Sequence, residues 1–334
     1  MTIADYDAQA LITLTLAAAF PSGVALSLVG EEDATELRQP EQAALLAKVV
    51  AAVNETIAAA GPPPEGLPAL SPVSPEEVLA AIDCGGSKGG AVGRHWVLDP
   101  VDGTLGFLRG DQYAISLGLV QDGALVAGVL GCPNFPRRKE WLRHPHRYFR
   151  LAQRLVPPPE GAWATGIVFL AQKHGGCFAE PCAGSSGLAT PLAARREAVR
   201  ASACSDPTQA TFCEPVEKAN SSQEFTGRVA DTLGIGRQPL RIYSSAKYGA
   251  VARGDAEVFM KFPEASYREK SWDHAAGVIV VEEAGGRVTD AGGTPLDFSQ
   301  GRLLALDRGI VAACEGMHAV LVRAVESSWA SSQL

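Results

Sequence analysis

The sequence predicts a layered protein of mixed α/β class with two sub-domains, residues 1–190 and 191–334. Helical and strand patterns alternate along the chain, which indicates a mixed fold. The pair Asp122-Gly123 lies between two apolar runs and predicts an antiparallel hairpin, which excludes a simple parallel repeat. A small and polar stretch at residues 183–190 marks the boundary between the two halves.

The composition is that of a globular chain rather than a fibrous or disordered one. Of the 334 residues, 46% are hydrophobic and 20% are charged. The 29 basic and 37 acidic residues give a net charge of −8, which disfavours binding of a nucleic acid polymer. The same charge is compatible with a small anionic ligand in a local pocket. We expect a monomer.

The cysteines and the apolar runs indicate an intracellular protein. The seven cysteines are odd in number and none has C-x-x-C spacing, so we expect mostly buried thiols in a reducing compartment. The longest run of large apolar residues, 278–281, is far shorter than the roughly 20 residues of a membrane span. Asp5 and Asp7 disfavour a targeting peptide. We therefore expect neither secretion nor a membrane span.

The N-terminal part is predicted to contain two helices around a strand. Thr2 and Asp5 have the spacing of a capping box. One face of the helix that follows is apolar and consists of Ala8, Leu11, Ile12, Leu16 and Ala19. An apolar stretch at residues 24–29 predicts a strand that ends at a Gly-Glu-Glu turn. A second helical pattern covers residues 42–59 and stops at residues 61–64.

The middle of the chain is predicted to be mainly β-structure. Apolar and alternating patterns indicate strands at residues 96–98, 113–120, 124–130, 166–171 and 177–179. Between them, residues 137–154 carry seven Lys or Arg against one Glu, bounded by prolines on both sides. This composition predicts a solvated surface insertion, and a nucleic-acid patch is the alternative.

The C-terminal half alternates helices and strands again. The patterns predict helices at residues 245–253 and 274–284 and from Met317 onward, with Asp273 as an N-cap. Strands are predicted at residues 256–262, 303–306 and 310–313.

The stretch Asp99-Pro100-Val101-Asp102-Gly103-Thr104 is the first candidate for chemistry. Asp99 and Asp102 are three residues apart on a tight turn, a spacing that can direct both carboxylates at one hard divalent cation. Gly103 and Thr104 follow where a helix is predicted to begin, and free amides at a helix N-terminus bind phosphate. An ordinary turn has the same composition, so both interpretations stay open.

Three further features are informative only in combination. The Gly30-Glu31-Glu32 turn offers a third carboxylate, and Trp272-Asp273-His274 offers a fourth, although a surface Glu pair and a helix cap are the simpler interpretations. Four basic residues lie around the second segment and suit a second phosphate, or are solvated: Lys247, Lys261, Arg268 and Lys270.

Together these stretches resemble the inositol monophosphatase superfamily of metal-dependent, lithium-sensitive phosphatases. The signature of that family joins a Gly-Glu-Glu turn, an Asp-Pro-x-Asp-Gly-Thr turn and a distant Trp-Asp pair, and all three are present in order. The runs at residues 96–104, 106–114 and 267–277 resemble one branch, the 3'(2'),5'-bisphosphate nucleotidases. The resemblance covers nearly the whole chain except residues 137–162, and it implies a layered fold with the active site in a cleft between two halves.

The resemblance implies magnesium as the cofactor and hydrolysis of a phosphate monoester. The implied metal ligands are Glu31, Asp99, the backbone carbonyl of Val101, Asp102 and Asp273. A metal in such a site lowers the pKa of a bound water, orients it for attack and neutralises the leaving oxygen.

The implied substrate is a small nucleotide, adenosine 3',5'-bisphosphate, with AMP and phosphate as products. The corresponding 5'-phosphosulfate and inositol 1,4-bisphosphate are related possibilities. The implied contacts are the amides of Gly103 and Thr104 for the 3'-phosphate, Ser244 and Lys247 for the nucleotide, and Lys261 for the 5'-phosphate, with Asp273 beside the substrate. Asn220, followed by Ser221, stands where a histidine commonly contacts the nucleotide.

The sequence departs from the family pattern at its start. Family members carry a helix and a hairpin with an acidic residue before the segment matched by residues 2–6, so we expect a truncated gene model. The catalytic pair would be Thr104 and Asp102, with Thr104 lacking its usual acidic partner. Loss of general-base assistance costs about 10²- to 10⁴-fold in rate. Leu105 also departs, because the branch often has a lysine there.

Two alternatives follow from these departures. The chain could be a nucleotide-binding homologue without catalysis, or a phosphatase of inositol phosphates. The compartment is expected to be the cytoplasm, or an organelle if a targeting peptide preceded the chain.

Overall fold

The computed structural model describes residues 1–20, 26–63, 66–139, 142, 164–182 and 196–332. These residues form a mixed α/β fold with one seven-stranded and one five-stranded sheet, which confirms the predicted fold class. The predicted boundary at residues 183–190 lies outside the described residues, so the division into two sub-domains stays a prediction. The basic stretch at residues 137–154 also lies mostly outside them.

The larger sheet contains seven strands whose spatial order follows the chain. They are β1 (Leu28–Gly30), β2 (Arg94–Asp102), β3 (Ala114–Gln121), β4 (Ala124–Pro136), β5 (Thr165–Gln172), β6 (Gly176–Pro181) and β7 (Glu197–Val199). Only the β1–β2 pair among them is parallel. Asp122 and Gly123 join β3 to β4 with φ of 50° and 78°, left-handed values that suit Asp and Gly in a hairpin turn. The predicted hairpin is confirmed.

Three helices near the N-terminus pack against one another, and the first of them also contacts β2 of this sheet. They are α1 (Ile3–Ala19), α2 (Ala43–Ala59) and α3 (Pro75–Asp83). The predicted capping box of Thr2 and Asp5 is present, and the two predicted helices are confirmed. Within the strand predicted at residues 24–29, residues 24 and 25 lie outside the described part of the chain, and β1 begins at Leu28.

The predicted apolar face of α1 is wrong. Most of its members are only half-buried, whereas the buried residues are Asp5, Tyr6, Gln9, Ala10, Thr13 and Leu16. The physical reason is that α1 also supports a polar turn. Gln9 is buried because its side chain hydrogen-bonds backbone groups of the Gly-Glu-Glu turn, a demand that hydrophobic periodicity does not report.

The smaller sheet contains the strands β8 (Phe212–Pro215), β9 (Leu240–Ile242), β10 (Val258–Lys261), β11 (Gly286–Asp290) and β12 (Ile310–Cys314). Their order in the sheet is β11-β12-β10-β8-β9. The helices of this half are α5 (Gln223–Leu233), α6 (Ala246–Arg253), α7 (Ala275–Glu283) and α8 (Glu315–Ser332), and α4 (Thr104–Arg109) follows β2 in the other half. The strand predicted at residues 303–306 is wrong, because only a single bridge joins Leu303 to Lys270.

Helix α7 packs against both sheets. It contacts β3 and β4 of the larger sheet and β11 of the smaller one. Close approach requires glycine, since a Cβ at Gly118 would lie 2.7 Å from the Cβ of Ala275. The N-cap of α7 is His274 rather than the predicted Asp273. Asp273, one residue earlier, is therefore not used to cap the helix.

The cysteines are free thiols, and four of the seven are buried: Cys132, Cys177, Cys213 and Cys314. Burial raises the pKa of Cys177 to about 12 and that of Cys314 to about 11. One helical stretch, Pro40–Ala59, is long and apolar enough to cross a membrane by length and composition alone, with a mean hydropathy of 1.2. The expected absence of a membrane span stays a prediction.

Candidate active site

The C-terminal end of β2 carries the two aspartates of the Asp-Pro-Val-Asp-Gly-Thr stretch. The register with β3 shifts between Asp99 and Asp102, so the strand is irregular where the carboxylates stand. Asp99 is buried, and its Oδ1 accepts a hydrogen bond from the Val101 amide at 3.1 Å. Gly103 then adopts a left-handed φ of 82° and α4 begins at Thr104, as predicted.

Four carboxyl groups from distant parts of the chain lie close enough to perturb one another. Burial raises the pKa of Asp99 well above its usual range, and the negative charges of Asp102, Glu31 and Asp273 raise it further. Burial also raises the pKa of Glu31 and that of Asp273. The interaction with the Asp99 side chain lowers the pKa of Glu31 and partly offsets the effect of burial. The structure thus brings together every carboxylate that the sequence predicted as a metal ligand.

The donor set of this cluster fits a hard divalent cation. Only Asp99 of the four residues is fully buried, but four mutually repelling carboxyl groups are stabilised when a positive charge neutralises them, and Mg²⁺ takes oxygen ligands of this kind. The backbone carbonyl of Val101 accepts a hydrogen bond from Thr104 Oγ1 at 3.2 Å. Asp102 Oδ2 accepts a hydrogen bond from the Ser245 amide. That contact joins β2 to the start of α6.

A cavity of about 300 Å³ opens beside the carboxyl groups. The predicted site residues in its lining are Asp102, Gly103, Thr104, Asn220, Ser244, Lys247, Lys261 and Asp273. Ser221 is not in the lining. Its buried hydroxyl accepts a hydrogen bond from the Phe262 amide at 2.9 Å, so its role is to hold the backbone after β10. Leu105 lines the cavity as an apolar residue.

Two of the four basic residues singled out in the sequence reach this cavity. Lys247 is buried, its Nζ donates to the carbonyls of Ile242 and Ser244, and burial lowers its pKa to about 8. Lys261 Nζ lies 2.7 Å from Glu269 Oε2. Arg268 and Lys270 are not in the lining of this cavity. The two lysines supply local positive charge in an acidic protein.

A polar network that the sequence did not predict includes Glu269 and His274, on either side of Asp273 in the chain. Glu269 Oε2 accepts hydrogen bonds from Lys261 Nζ and, at 2.8 Å, from His274 Nε2, and His274 Nδ1 lies 2.7 Å from the Tyr248 hydroxyl. Burial raises the pKa of Glu269, but the charge of Lys261 and the His274 hydrogen bond outweigh it and hold the pKa at about 2. Because these partners are separated along the chain, hydrophobic periodicity carries no signal for the network.

Glu269, Asp273 and His274 also place ligand atoms within 4.8 Å of one another. Glu269 is already neutralised by Lys261, whereas the cluster of Glu31, Asp99, Asp102 and Asp273 combines four acidic groups. Asp273 belongs to both groups, and the cluster of Glu31, Asp99, Asp102 and Asp273 is the one that the sequence predicted as a metal site.

A further contact that the sequence did not predict involves two residues of the cavity lining. Arg109 of α4 donates to the Glu217 carboxylate and to the Tyr243 hydroxyl. Both acceptors line the cavity. The contact ties the two halves of the chain together beside the carboxyl cluster.

The whole chain matches one protein family. A model of the inositol monophosphatase family matches residues 1–330. The chain belongs to the inositol monophosphatase family. The resemblance stated from the sequence is thereby confirmed, and enzymes of this family are generally metal-dependent.

Three similar proteins are named bisphosphate nucleotidases. The 3',5'-bisphosphate nucleotidase AHL of Arabidopsis thaliana is 47% identical over 100% of this chain and 87% of its own length. The 3'(2'),5'-bisphosphate nucleotidase of Oryza sativa is 43% identical over 98% and 84%, and that of Emericella nidulans is 38% identical over 98% and 87%. Mycobacterium tuberculosis SuhB is a more distant structural match, with a TM-score of 0.45, 24% identity and coverage of 70% and 73%.

Proposed function

We propose that this family member hydrolyses the 3'-phosphate of adenosine 3',5'-bisphosphate, giving AMP and phosphate, with Mg²⁺ as the cofactor. The observation that carries the proposal is the position of the carboxyl cluster beside a cavity lined by Lys247 and Lys261. The carboxyl cluster suits a cation, and the two lysines suit a second phosphate of the substrate. The names of the relatives at 38–47% identity support the same substrate.

The carboxyl cluster would hold magnesium through Glu31, Asp99, Asp102 and Asp273, with the Val101 carbonyl as a further oxygen ligand. Magnesium bound there would neutralise charge on the phosphate oxygens and lower the pKa of a water that attacks phosphorus. The chain's own contribution is to hold the phosphate. In this proposal the amides of Gly103 and Thr104 bind the 3'-phosphate, and the Thr104 hydroxyl, 3.2 Å from the Val101 carbonyl, orients the water.

The rest of the cavity would bind the nucleotide. Lys247 is positioned for the nucleotide and Lys261 for the 5'-phosphate, because both line the cavity and an ammonium group donates charge-assisted hydrogen bonds to phosphate. Asn220 and Ser244 line the cavity and have side chains that can hydrogen-bond the nucleoside. The proposal includes the earlier expectations of a monomer and of an intracellular location.

The test is phosphate release from adenosine 3',5'-bisphosphate in magnesium, with and without lithium, for the chain and for Asp102→Asn. Asparagine keeps an oxygen that can accept the Ser245 hydrogen bond, so the fold should persist. We expect release to fall by about 100-fold or more, because a metal ligand beside the reacting phosphate loses its charge.

Asp206→Asn is the matched control. Asp206 caps a single turn at Pro207–Gln209 and is not in the cavity lining, and asparagine caps equally well. Its activity should be unchanged. Preferred hydrolysis of an inositol phosphate would overturn the proposed substrate, and nucleotide binding without phosphate release would overturn the proposed catalysis.

A further inference from the structure

The guanidinium group of Arg302 holds the loop that leads into Glu31. Its Nη2 donates to the Gly30 carbonyl at 2.8 Å, and its Nη1 donates to the carbonyls of Gly85 and Ser87 at 3.0 and 3.2 Å. Gly30 directly precedes Glu31 in the chain. The side chain thus fixes the backbone from which one carboxylate of the cluster extends.

The backbone of the same residue holds the loop that leads into Asp273. The Arg302 carbonyl accepts a hydrogen bond from the Ser271 amide at 3.0 Å. The Arg302 guanidinium also lies 4.7 Å from the centre of the ring of Trp272, the residue after Ser271, a distance typical of a cation–π contact. Ser271 and Trp272 are the two residues before Asp273, so a single residue is bonded to both ligand-bearing loops.

The Asp273 loop is also anchored to β2 through a second path. The Trp272 carbonyl accepts a hydrogen bond from Ser116 Oγ at 3.0 Å, and Ser116 of β3 pairs with Asp99 of β2. The distance from Asp273 to Asp99 is therefore fixed by this strand pair. The Glu31 amide donates to the Leu98 carbonyl of β2 at 3.2 Å, and Arg302 adds a direct link between the Glu31 loop and the Asp273 loop.

We propose that Arg302 is a positioning residue that sets the separation of the Glu31 and Asp273 carboxylates and thereby the affinity of the site for a divalent cation. The proposal rests on the proposed function in one respect, namely that the carboxyl cluster holds a cation. Only a planar fork of donors reaches three carbonyls while stacking on an indole ring, so lysine should replace arginine only in part.

The test is calorimetric titration of the whole chain with Mg²⁺ in the absence of nucleotide. Arg302→Met keeps the length of the side chain but removes its donors, and Arg302→Lys keeps the charge. We expect Mg²⁺ affinity to fall by about 10- to 100-fold in Arg302→Met, the range typical for residues that orient metal ligands, and by less in Arg302→Lys. The Mg²⁺ concentration for half-maximal activity should rise by the same factor, with kcat at saturating Mg²⁺ changing much less.

Arg308→Met is the matched control. Arg308 belongs to the same stretch and also stacks on a tryptophan, Trp329, but its ion pairs are with Asp307 and Glu326. A general loss of stability from removing an arginine should occur in this variant as well, whereas its Mg²⁺ affinity should be unchanged.

The outcomes are distinct. Unchanged Mg²⁺ affinity in a folded Arg302→Met would overturn the proposal, as would an equal loss in Arg308→Met or a native chain that binds no Mg²⁺. If Arg302→Met does not fold, Arg302→Lys decides by the same criterion. Mg²⁺ binding that depends on Arg302 without release of phosphate from the nucleotide would support this inference and refute the proposed function.

Discussion

The side-chain amide of Gln9 bonds both the amide and the carbonyl of Glu32. Its Oε1 accepts from the Glu32 amide at 3.2 Å, and its Nε2 donates to the Glu32 carbonyl at 2.7 Å and to the Ile82 carbonyl at 2.8 Å. Two glycines make room, since a Cβ would lie 2.7 Å from Gln9 Oε1 at Gly30 and 2.6 Å from Nε2 at Gly85. Helix α1 thus holds the turn that presents Glu31.

Gln9→Leu should destabilise the chain strongly. Gln9 is fully buried, so leucine would leave backbone groups of Glu32 and Ile82 without partners and out of reach of water. We expect the free energy of unfolding to fall by about 3 kcal/mol. Urea denaturation followed by circular dichroism measures it.

Thr13→Val on the same helix is the control. The Thr13 hydroxyl is buried and has no hydrogen-bond partner within the described ranges. Valine should therefore change the free energy of unfolding by no more than about 0.5 kcal/mol. Equal effects of the two substitutions would contradict a specific role for Gln9.

Gly277→Ala should be destabilising although alanine favours helices. A Cβ at Gly277 of α7 would lie 2.2 Å from Cδ2 of Tyr248, a buried ring whose hydroxyl bonds His274. We expect a cost of about 2–3 kcal/mol from overpacking, measured by urea denaturation.

Gly227→Ala gives the opposite expectation in the same assay. Gly227 of α5 has no heavy atom within 4 Å of an added Cβ among the described residues. Alanine there should stabilise the chain by about 0.5–1 kcal/mol through helix propensity. A loss of stability in Gly227→Ala as large as in Gly277→Ala would exclude the steric explanation.

His318 should make stability fall on the acid side of neutrality. Burial lowers its pKa below the ordinary 6.5, Arg287 lowers it further and Glu315 partly offsets this. Its Nε2 lies 2.9 Å from the Thr289 hydroxyl. Because the unfolded chain binds the proton more readily, the contribution of neutral His318 is present above pH about 6.5 and is lost as pH falls through the window below it.

The check is the change in the free energy of unfolding between pH 7.5 and pH 5, compared between the native chain and His318→Gln. The variant should lose less stability over that interval. An identical loss in both proteins would show that the protonation of His318 is not linked to folding.

The sequence determined the features that depend on neighbouring residues. Periodicity and turn chemistry predicted α1, α2 and the β3–β4 hairpin, because each is specified within a few residues. Short strands such as β7 and β9 have three residues each and carry too little pattern. Helix α3 was missed although Ser74 and Glu77 form a capping box before and within it.

The features of the site also separate into those that local sequence predicts and those that tertiary structure determines. The sequence predicted the motifs, and the family match confirms the resemblance based on them. The contacts of Gln9, Glu269 and Arg302 were decided by the tertiary structure alone. The bond from Arg302 to Gly30 spans 272 residues, and no local pattern encodes a partner at that distance. Tertiary packing determines this hydrogen bond, because a buried backbone carbonyl needs a donor and only the folded chain determines which side chains lie within reach of it.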